Sequence, residues 1–253
     1  QAANTTAAAS AHEPATSSFA QLGLNVELQS SAAQAGFVSP TPVQVEAIGP
    51  VLNGRDVLAT AQTGSGKTAA YALPVLQLLM ATAASRDAAP KKRITQVLVL
   101  VPTRELATQV SDVLRDLARP LTQSIKVGTL FGGVSINPQM MSLRSGADVV
   151  VATPGRLLDI VDHNALNLDH VQHLVLDEAD RLLDLGFAEE LHRILALLPA
   201  KRQTLLFSAT FEPAVQTLAE TLLHNPARIT IAHTQAHTPD IAQRAISVDD
   251  KSR

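Results

Sequence analysis

The sequence contains no cysteine and no tryptophan, and aromatic residues make up only 3% of its 253 positions. Without cysteine, a disulfide framework, a thiolate metal site and a cysteine nucleophile are excluded. So few aromatic rings argue against a surface that binds single strands by stacking successive bases. No apolar run approaches the roughly 20 residues that cross a bilayer, and no charged leader with an apolar stretch opens the chain. These absences predict a cytoplasmic protein without a membrane segment.

The charge balance is close to neutral. The net charge is -3 and the isoelectric point is near 6.2, so the chain lacks the overall basic character of most nucleic-acid binders. Contacts with nucleic acid would therefore be local. The 46% of hydrophobic residues is enough to bury a full core.

Composition divides the chain into three parts. Residues 1–18 are rich in Ala, Ser and Thr and predict a flexible tail, residues 19–232 predict a folded domain, and residues 233–253 predict a linker. The chain starts at Gln1 instead of Met and ends without a closing element, so we expect it to be part of a longer protein.

The domain alternates short apolar runs with helical stretches. Two helices are expected first, at 26–35 and from Thr41-Pro42, where a cap residue precedes a first-turn proline. Runs rich in Val, Leu and Ile then predict strands at 56–60, 96–101, 125–131, 148–153, 173–176, 203–207 and 228–232. Continuous apolar runs indicate strands covered on both faces, and the alternation indicates right-handed βαβ units. The fold class is therefore α/β, a doubly wound parallel sheet, in which ligands bind at the carboxyl ends of the strands.

The segment 61–68 follows the first strand and opens a helix. Glycines at 64 and 66 let backbone N–H groups point at a polyphosphate, and the helix start adds positive potential. Lys67 is placed to reach the β and γ phosphates, and Thr68 is placed to bind Mg²⁺. Ala61 stands where the general phosphate-loop pattern has glycine. The candidate nucleotide-binding residues here are Gln62, Thr63, Gly64, Ser65, Gly66, Lys67 and Thr68.

Two adjacent carboxylates, Asp177 and Glu178, follow the strand 173–176. In isolation, acids that open a helix usually stabilise its positive end. Together with a phosphate loop upstream, they predict a nucleoside triphosphatase, in which Asp177 holds Mg²⁺ and Glu178 orients the attacking water. The candidate catalytic residues are Lys67, Asp177 and Glu178.

Five motifs occur in one order along the chain. They are Gln62-Thr63-Gly64-Ser65-Gly66-Lys67-Thr68, Pro102-Thr103-Arg104-Glu105-Leu106, Thr153-Pro154-Gly155-Arg156, Asp177-Glu178-Ala179-Asp180 and Ser208-Ala209-Thr210. In this order they resemble the N-terminal RecA-like domain of the DEAD-box RNA helicases, and Ala61 is part of that resemblance. Residues 132–139 and 182–187 are most similar to the bacterial RhlE-type subgroup.

The resemblance implies a RecA-like P-loop fold that binds ATP and Mg²⁺, with RNA as partner. It also implies a second RecA-like domain after the linker, which supplies an arginine finger. Joined to it, this domain would couple ATP hydrolysis to unwinding or remodelling of RNA duplexes, whereas alone it is expected to be a nearly inactive monomer. The alternatives are an ATP-gated RNA clamp and a DNA-acting or nucleotide-signalling member of the P-loop class.

The resemblance also assigns roles outside the phosphate loop. Gln44 is expected to read adenine, although a helix-surface glutamine has the same pattern. Phe37 or Phe19 would pack on the base or, equally, in the core. Asp180, Ser208 and Thr210 are expected to couple nucleotide state to RNA binding, or else to cap the next helix.

RNA contacts are implied for three strand-end loops. The loops offer N–H groups, hydroxyls and guanidinium groups, which suit sequence-independent contacts with phosphate and sugar. Taken singly, they equally suit a turn, a helix cap and a surface ion pair. The candidate residues are Pro102, Thr103, Arg104, Gly132, Gly133, Thr153, Gly155 and Arg156. Arg181 and Arg202 are interpreted as surface charges.

Overall fold

The computed structural model describes residues 18–84 and 93–231. The predicted tail, except for Ser18, and the predicted linker at 233–253 lie outside these residues. The described parts contain nine helices and seven strands. The helices are α1 Val26–Gln34, α2 Pro42–Leu52, α3 Lys67–Ala84, α4 Arg104–Ala118, α5 Asn137–Ser142, α6 Pro154–Asp162, α7 Ala179–Asp184, α8 Ala188–Ala196 and α9 Pro213–Leu222. The strands are β1 Val57–Thr60, β2 Val97–Leu100, β3 Val127–Leu130, β4 Val149–Ala152, β5 His173–Leu176, β6 Gln203–Ser208 and β7 Ala227–Thr230.

The strands form one parallel sheet in the order β3-β4-β2-β5-β6-β1-β7. Each predicted strand overlaps one of the seven observed strands, and no boundary differs by more than two residues. The prediction of a doubly wound parallel sheet is therefore confirmed.

The sheet lies between two layers of helices. Along β2, Val97 and Val99 pack into the core beneath α1–α4, whereas Leu98 and Leu100 pack into the core beneath α5–α9. Successive side chains of a strand point to opposite faces, so a strand that is apolar at every position must be covered on both sides. This is why the strands appear in the sequence as continuous apolar runs.

The segment before the sheet packs into the first of these cores. Asn25 begins α1 by accepting the Leu28 N–H with its side chain at 2.8 Å, and Pro42 occupies the first turn of α2. Phe19 is buried in the core beneath α1–α4, which favours the core interpretation of this aromatic residue over contact with a base. Phe37 is half-buried against the same core.

The strand order divides the candidate loops into two groups along one edge of the sheet. The loops that follow β1, β6 and β5 lie side by side, and so do the loops that follow β3, β4 and β2. The first group carries the phosphate loop, the acidic pair and the predicted coupling residues, and the second carries the predicted RNA residues. Among the described helices, none combines the length and apolar character needed to span a bilayer.

Candidate functional site

The phosphate loop, residues 61–66, connects β1 to the start of α3. Gly64 and Gly66 have φ angles of +82° and +93°, a left-handed conformation that strains residues with a Cβ. The Ala61 N–H donates to the Ser208 carbonyl oxygen at 3.0 Å, and the Ser65 hydroxyl donates to the Gln62 carbonyl oxygen at 2.7 Å. The loop is thus anchored to β6 and turns so that α3 begins at Lys67, with its N-terminal N–H groups at the loop.

Lys67 is the first residue of α3, directly after this loop, and is 6% exposed. Its Nζ donates to the Ala61 carbonyl oxygen at 2.6 Å. One positive charge is therefore held against the loop backbone, where phosphate oxygens of a nucleotide would replace the carbonyl as its partner.

Asp177 follows β5 and is 5% exposed. Its Oδ1 accepts the Glu178 N–H at 3.0 Å, and its Oδ2 accepts the Tyr71 hydroxyl at 2.8 Å. Burial raises the pKa of Asp177, and the Tyr71 hydrogen bond and the Lys67 ammonium oppose that rise. Burial also raises the pKa of Tyr71 well above its ordinary value, and the Asp177 charge adds to this effect. The phenol is therefore a neutral donor to the carboxylate.

The oxygen donors at this point suit Mg²⁺. The hydroxyl of Thr68 and the carboxylate of Asp177 are hard ligands, and Mg²⁺ commonly takes one or two of these together with phosphate oxygens and water. Within residues 18–84 and 93–231, no cluster of three or more His, Asp or Glu side chains would hold a metal ion by itself. The donor set therefore fits a cation that arrives with a nucleotide better than a resident metal.

Glu178 has a left-handed backbone, with φ of +51°. The other described non-glycine residues with positive φ are asparagines at 164 and 225, a residue type that adopts this conformation readily. Glu178 is 6% exposed, and its Oε2 accepts from Arg181 Nη1 at 3.0 Å. Arg181 was predicted to be a surface charge, and its side chain is 55% exposed; the ion pair that it forms with the candidate catalytic carboxylate was not predicted.

Asp180 joins the end of β5 to the end of β6. Its Oδ2 accepts from the N–H groups of Ala209 and Thr210 at 3.2 and 3.0 Å, and from the Thr210 hydroxyl at 3.1 Å. The Asp180 N–H donates to Ser208 Oγ at 3.3 Å. The predicted coupling residues are thus connected directly, because β5 and β6 are neighbours in the sheet.

Gln44 lies on α2 against the phosphate loop and is 1% exposed. Its Nε2 donates to the Gly66 carbonyl oxygen at 3.1 Å, and its Oε1 accepts the Thr41 N–H at 3.0 Å. The residue is therefore not an ordinary surface glutamine. The Thr41 hydroxyl beside it is buried without a hydrogen-bond partner.

The first predicted RNA loop follows β2. Pro102 is buried, and Thr103 begins α4 by accepting the Leu106 N–H at 3.3 Å. Arg104 and Glu105 form an exposed ion pair with 2.6 Å between Arg104 Nε and Glu105 Oε1. The helix cap and the surface ion pair are both present, and neither removes the remaining donors of the Arg104 guanidinium.

The other two predicted RNA loops contact each other. Arg156, after β4, is 9% exposed, and its Nη2 donates to the Val134 carbonyl oxygen at 2.8 Å, just after Gly132 and Gly133 in the loop that follows β3. Its Nε and Nη1 are buried without hydrogen-bond partners. Gly133 has a φ of +80°. Thr153 is buried at the start of α6, and Gly155 in its first turn is half-buried.

Sequence reasoning missed two residues that contact the candidate catalytic carboxylates, Tyr71 and Arg181. A signal for Tyr71 was available: it is the only tyrosine of the chain and lies four residues after Lys67 in α3, on the same face of the helix. Arg181 follows Glu178 by three residues, a spacing that places both side chains on one helix face.

Comparisons with known proteins agree with this geometry. The family model described as DEAD/DEAH box helicase matches residues 41–218. The ATP-dependent RNA helicase DeaD of Escherichia coli (strain K12) is 41% identical over 225 residues, covering 89% of this chain and 34% of that protein. The probable ATP-dependent RNA helicase ddx27 of Dictyostelium discoideum is 42% identical over 231 residues, covering 91% of this chain and 28% of that protein.

A solved structure shows the same architecture. A DEAD box protein from the hyperthermophile Methanococcus jannaschii is 34% identical, with a TM-score of 0.75 over 84% of this chain and 55% of that one. The chain spans about a third of the length of the curated relatives it matches. The sheet and the ordered motifs on its edge therefore form a RecA-like domain, and the chain belongs to the DEAD/DEAH box helicase family.

Proposed function

We propose that this chain binds Mg-ATP at the carboxyl ends of β1, β5 and β6, and the backbone of single-stranded RNA at the carboxyl ends of β2, β3 and β4. The observation that carries the proposal is the strand order, which separates the two groups of loops along one sheet edge. Ligand sites in open α/β sheets lie at this edge. Names of relatives such as the ATP-dependent RNA helicases DeaD and ddx27 support the same assignment.

In the nucleotide half, residues 62–68 would surround the phosphates. The N-terminal N–H groups of α3 and the Lys67 ammonium supply the positive potential. Lys67 would exchange the Ala61 carbonyl oxygen for phosphate oxygens, and Thr68 and Asp177 would hold Mg²⁺ directly or through water. Mg²⁺, when bound, would neutralise charge that develops on the phosphates.

Hydrolysis would depend on Glu178 as the carboxylate that orients the attacking water. Its buried position beside Asp177 suits that role. The ion pair with Arg181 holds the Glu178 side chain by one oxygen, Oε2, which leaves Oε1 to accept a hydrogen bond from water.

The activity of the whole protein is proposed on the same basis. Joined to a second RecA-like domain, this one would couple ATP hydrolysis to separation or remodelling of RNA duplexes. An arginine finger from the second domain is expected, and such a residue contributes about 10³- to 10⁵-fold in comparable enzymes. The 253-residue chain alone is therefore expected to be a monomer that hydrolyses ATP slowly and does not unwind RNA.

Finer assignments complete the proposal. The domain would span 19–232, with a tail at 1–18 and a linker at 233–253, in a cytoplasmic protein. The RhlE-type subgroup is supported by residues 132–139 and 182–187 alone, since the bacterial relatives that were compared are named DeaD and CshA.

A ligand titration tests the nucleotide half. Thermal unfolding of the chain is followed with ATP, ADP and GTP in the presence of Mg²⁺, where a ligand at 100 times its Kd adds about 2.7 kcal/mol of stability. Stabilisation by adenine nucleotides that Lys67→Ala abolishes is expected. No stabilisation by any nucleotide would contradict the proposal.

Competition between strands tests the RNA half. Single-stranded RNA should displace a labelled RNA strand better than DNA of the same sequence, since the 2′-hydroxyl is the feature that distinguishes them. Equal competition would favour a DNA-acting protein. Strand displacement by the two-domain protein separates an unwinding enzyme from a clamp, because a clamp would bind RNA with ATP and leave a short duplex intact; no observation favours the clamp.

A further inference from the structure

Tyr71 lies one helical turn beyond Lys67 in α3 and is 1% exposed. Its hydroxyl donates to Asp177 Oδ2 at 2.8 Å, across 106 residues of sequence. None of the motifs that identify the family includes this residue, and the proposed mechanism does not use it. A buried hydroxyl that contacts a metal-binding carboxylate nevertheless acts on the metal through that carboxylate.

The two hydrogen bonds to Asp177 come from different elements. The Glu178 N–H binds Oδ1 and is local in sequence, whereas Tyr71 binds Oδ2 from α3. A carboxylate oxygen accepts about two hydrogen bonds or ligands, so each oxygen keeps one further site. With one donor on each oxygen, rotation of the carboxylate about its Cβ–Cγ bond is restricted, and the free site of each oxygen has a defined direction.

The position of the phenol does not depend on this hydrogen bond. Its ring packs against Phe207 with ring centroids 5.3 Å apart and planes tilted by 56°. Both rings are buried, and Phe207 belongs to β6, the strand beside β5. The sheet and α3 therefore hold the ring in place, and a phenylalanine at position 71 would keep this packing and lose the hydroxyl with its hydrogen bonds to Asp177 and Thr68.

We propose that Tyr71 is a positioning residue for Mg²⁺: it orients the Asp177 carboxylate so that its free oxygen sites face the phosphate loop. The inference rests on the proposed binding of Mg-nucleotide. Partners that orient metal ligands change metal affinity by about 10- to 100-fold when removed. A purely structural hydroxyl would instead contribute to stability and leave the Mg²⁺ dependence of nucleotide binding unchanged.

The test measures ADP binding to the 253-residue chain by calorimetry at a series of Mg²⁺ concentrations. The wild-type chain is expected to bind ADP more tightly with Mg²⁺. In Tyr71→Phe, ADP binding without Mg²⁺ should be retained, while about tenfold more Mg²⁺ is needed for the same enhancement. Thr95→Val is the matched control, because it removes another buried hydroxyl, which donates to the Ala147 carbonyl oxygen at 3.0 Å away from the site.

Three results separate the inference from the function on which it rests. An unchanged Mg²⁺ requirement in Tyr71→Phe, with enhancement present in the wild type, overturns the positioning role alone. Equal loss of ADP binding with and without Mg²⁺ also overturns it, because the hydroxyl would then be structural. A wild-type chain that binds no ADP, or binds it without regard to Mg²⁺, overturns the proposed function and the inference together.

A second measurement needs no variant. The sequence has one tyrosine and no tryptophan, so the tyrosine fluorescence of the chain comes from Tyr71 alone. Hydrogen bonding of a phenol to a carboxylate changes this emission. Adding Mg²⁺ to the ADP complex should therefore change the emission in parallel with binding, and constant emission across the titration would contradict the proposal.

Discussion

The side-chain amide of Gln44 bridges the start of α2 and the phosphate loop: its Nε2 donates to the Gly66 carbonyl oxygen, and its Oε1 accepts the Thr41 N–H. Each end of the amide keeps one unused hydrogen-bonding site, because an amide nitrogen carries two N–H groups and an amide oxygen has two lone pairs. These sites match N7 and N6 of adenine. One amide could therefore hydrogen-bond an adenine base and the phosphate loop at the same time.

Replacing Gln44 should affect the loop and the base together. Gln44→Ala removes the partner of the part-buried Thr41 N–H and one of the two hydrogen bonds of the Gly66 carbonyl, which keeps the Ala70 N–H, and costs about 1 kcal/mol of stability. It should also abolish the preference for ADP over GDP in thermal stabilisation. Glu46→Ala, which removes an exposed side chain of the same helix, is the control, and persistent adenine preference in Gln44→Ala would refute the base-reading role.

Two glycines of the phosphate loop offer a matched comparison. A Cβ at Gly64 would have no neighbour within 4 Å, whereas a Cβ at Gly66 would lie 2.5 Å from Gln44 Nε2. Gly64→Ala should therefore cost only the left-handed backbone strain, about 1–2 kcal/mol. Gly66→Ala should cost more and displace Gln44. Urea unfolding of both variants measures the difference in free energy of unfolding. Equal losses of stability would show that Gln44 moves away from the added Cβ without cost.

Glu178 combines backbone strain with a proposed catalytic role. Glu178→Gly should relieve the left-handed strain. Its free energy of unfolding should therefore be about 1 kcal/mol higher than that of Glu178→Gln. In the protein with both RecA-like domains, both variants should bind ATP and lose hydrolysis. Chemical denaturation and a single-turnover assay check the two parts. Normal turnover by Glu178→Gln would exclude this carboxylate as the group that orients water.

Asp180 should control the order of the β6 loop. Its Oδ2 accepts three hydrogen bonds from Ala209 and Thr210, so Asp180→Ala releases two backbone N–H groups at once. Hydrogen exchange at these amides should become faster, while exchange within the sheet stays slow. Asp184→Ala changes an exposed carboxylate of the same helix and should leave both amides protected. Unchanged protection in Asp180→Ala would remove the physical basis of the coupling role.

The strands and the main loops were predictable because buried parallel strands are apolar at every position, and because ligand-binding residues follow the strands. Runs such as 96–101 and 148–153 therefore indicated the strands β2 and β4 to within one residue at each end. The ion pair of Arg181 with Glu178 was not predictable in this way. The residue types did not show that Glu178 would be buried with a left-handed backbone, or that the exposed Arg181 would be its partner.

The sequence by itself determined the phosphate loop, the acidic pair and the order of the motifs, since these depend on residue types at short spacing. Only the tertiary structure decided which groups meet. That Tyr71 contacts Asp177, and that Arg156 contacts the loop after β3, follows from the packing of α3 against the sheet and from the strand order β3-β4-β2-β5-β6-β1-β7. Strand order is set by the burial of whole faces over the entire chain, and no local pattern encodes it.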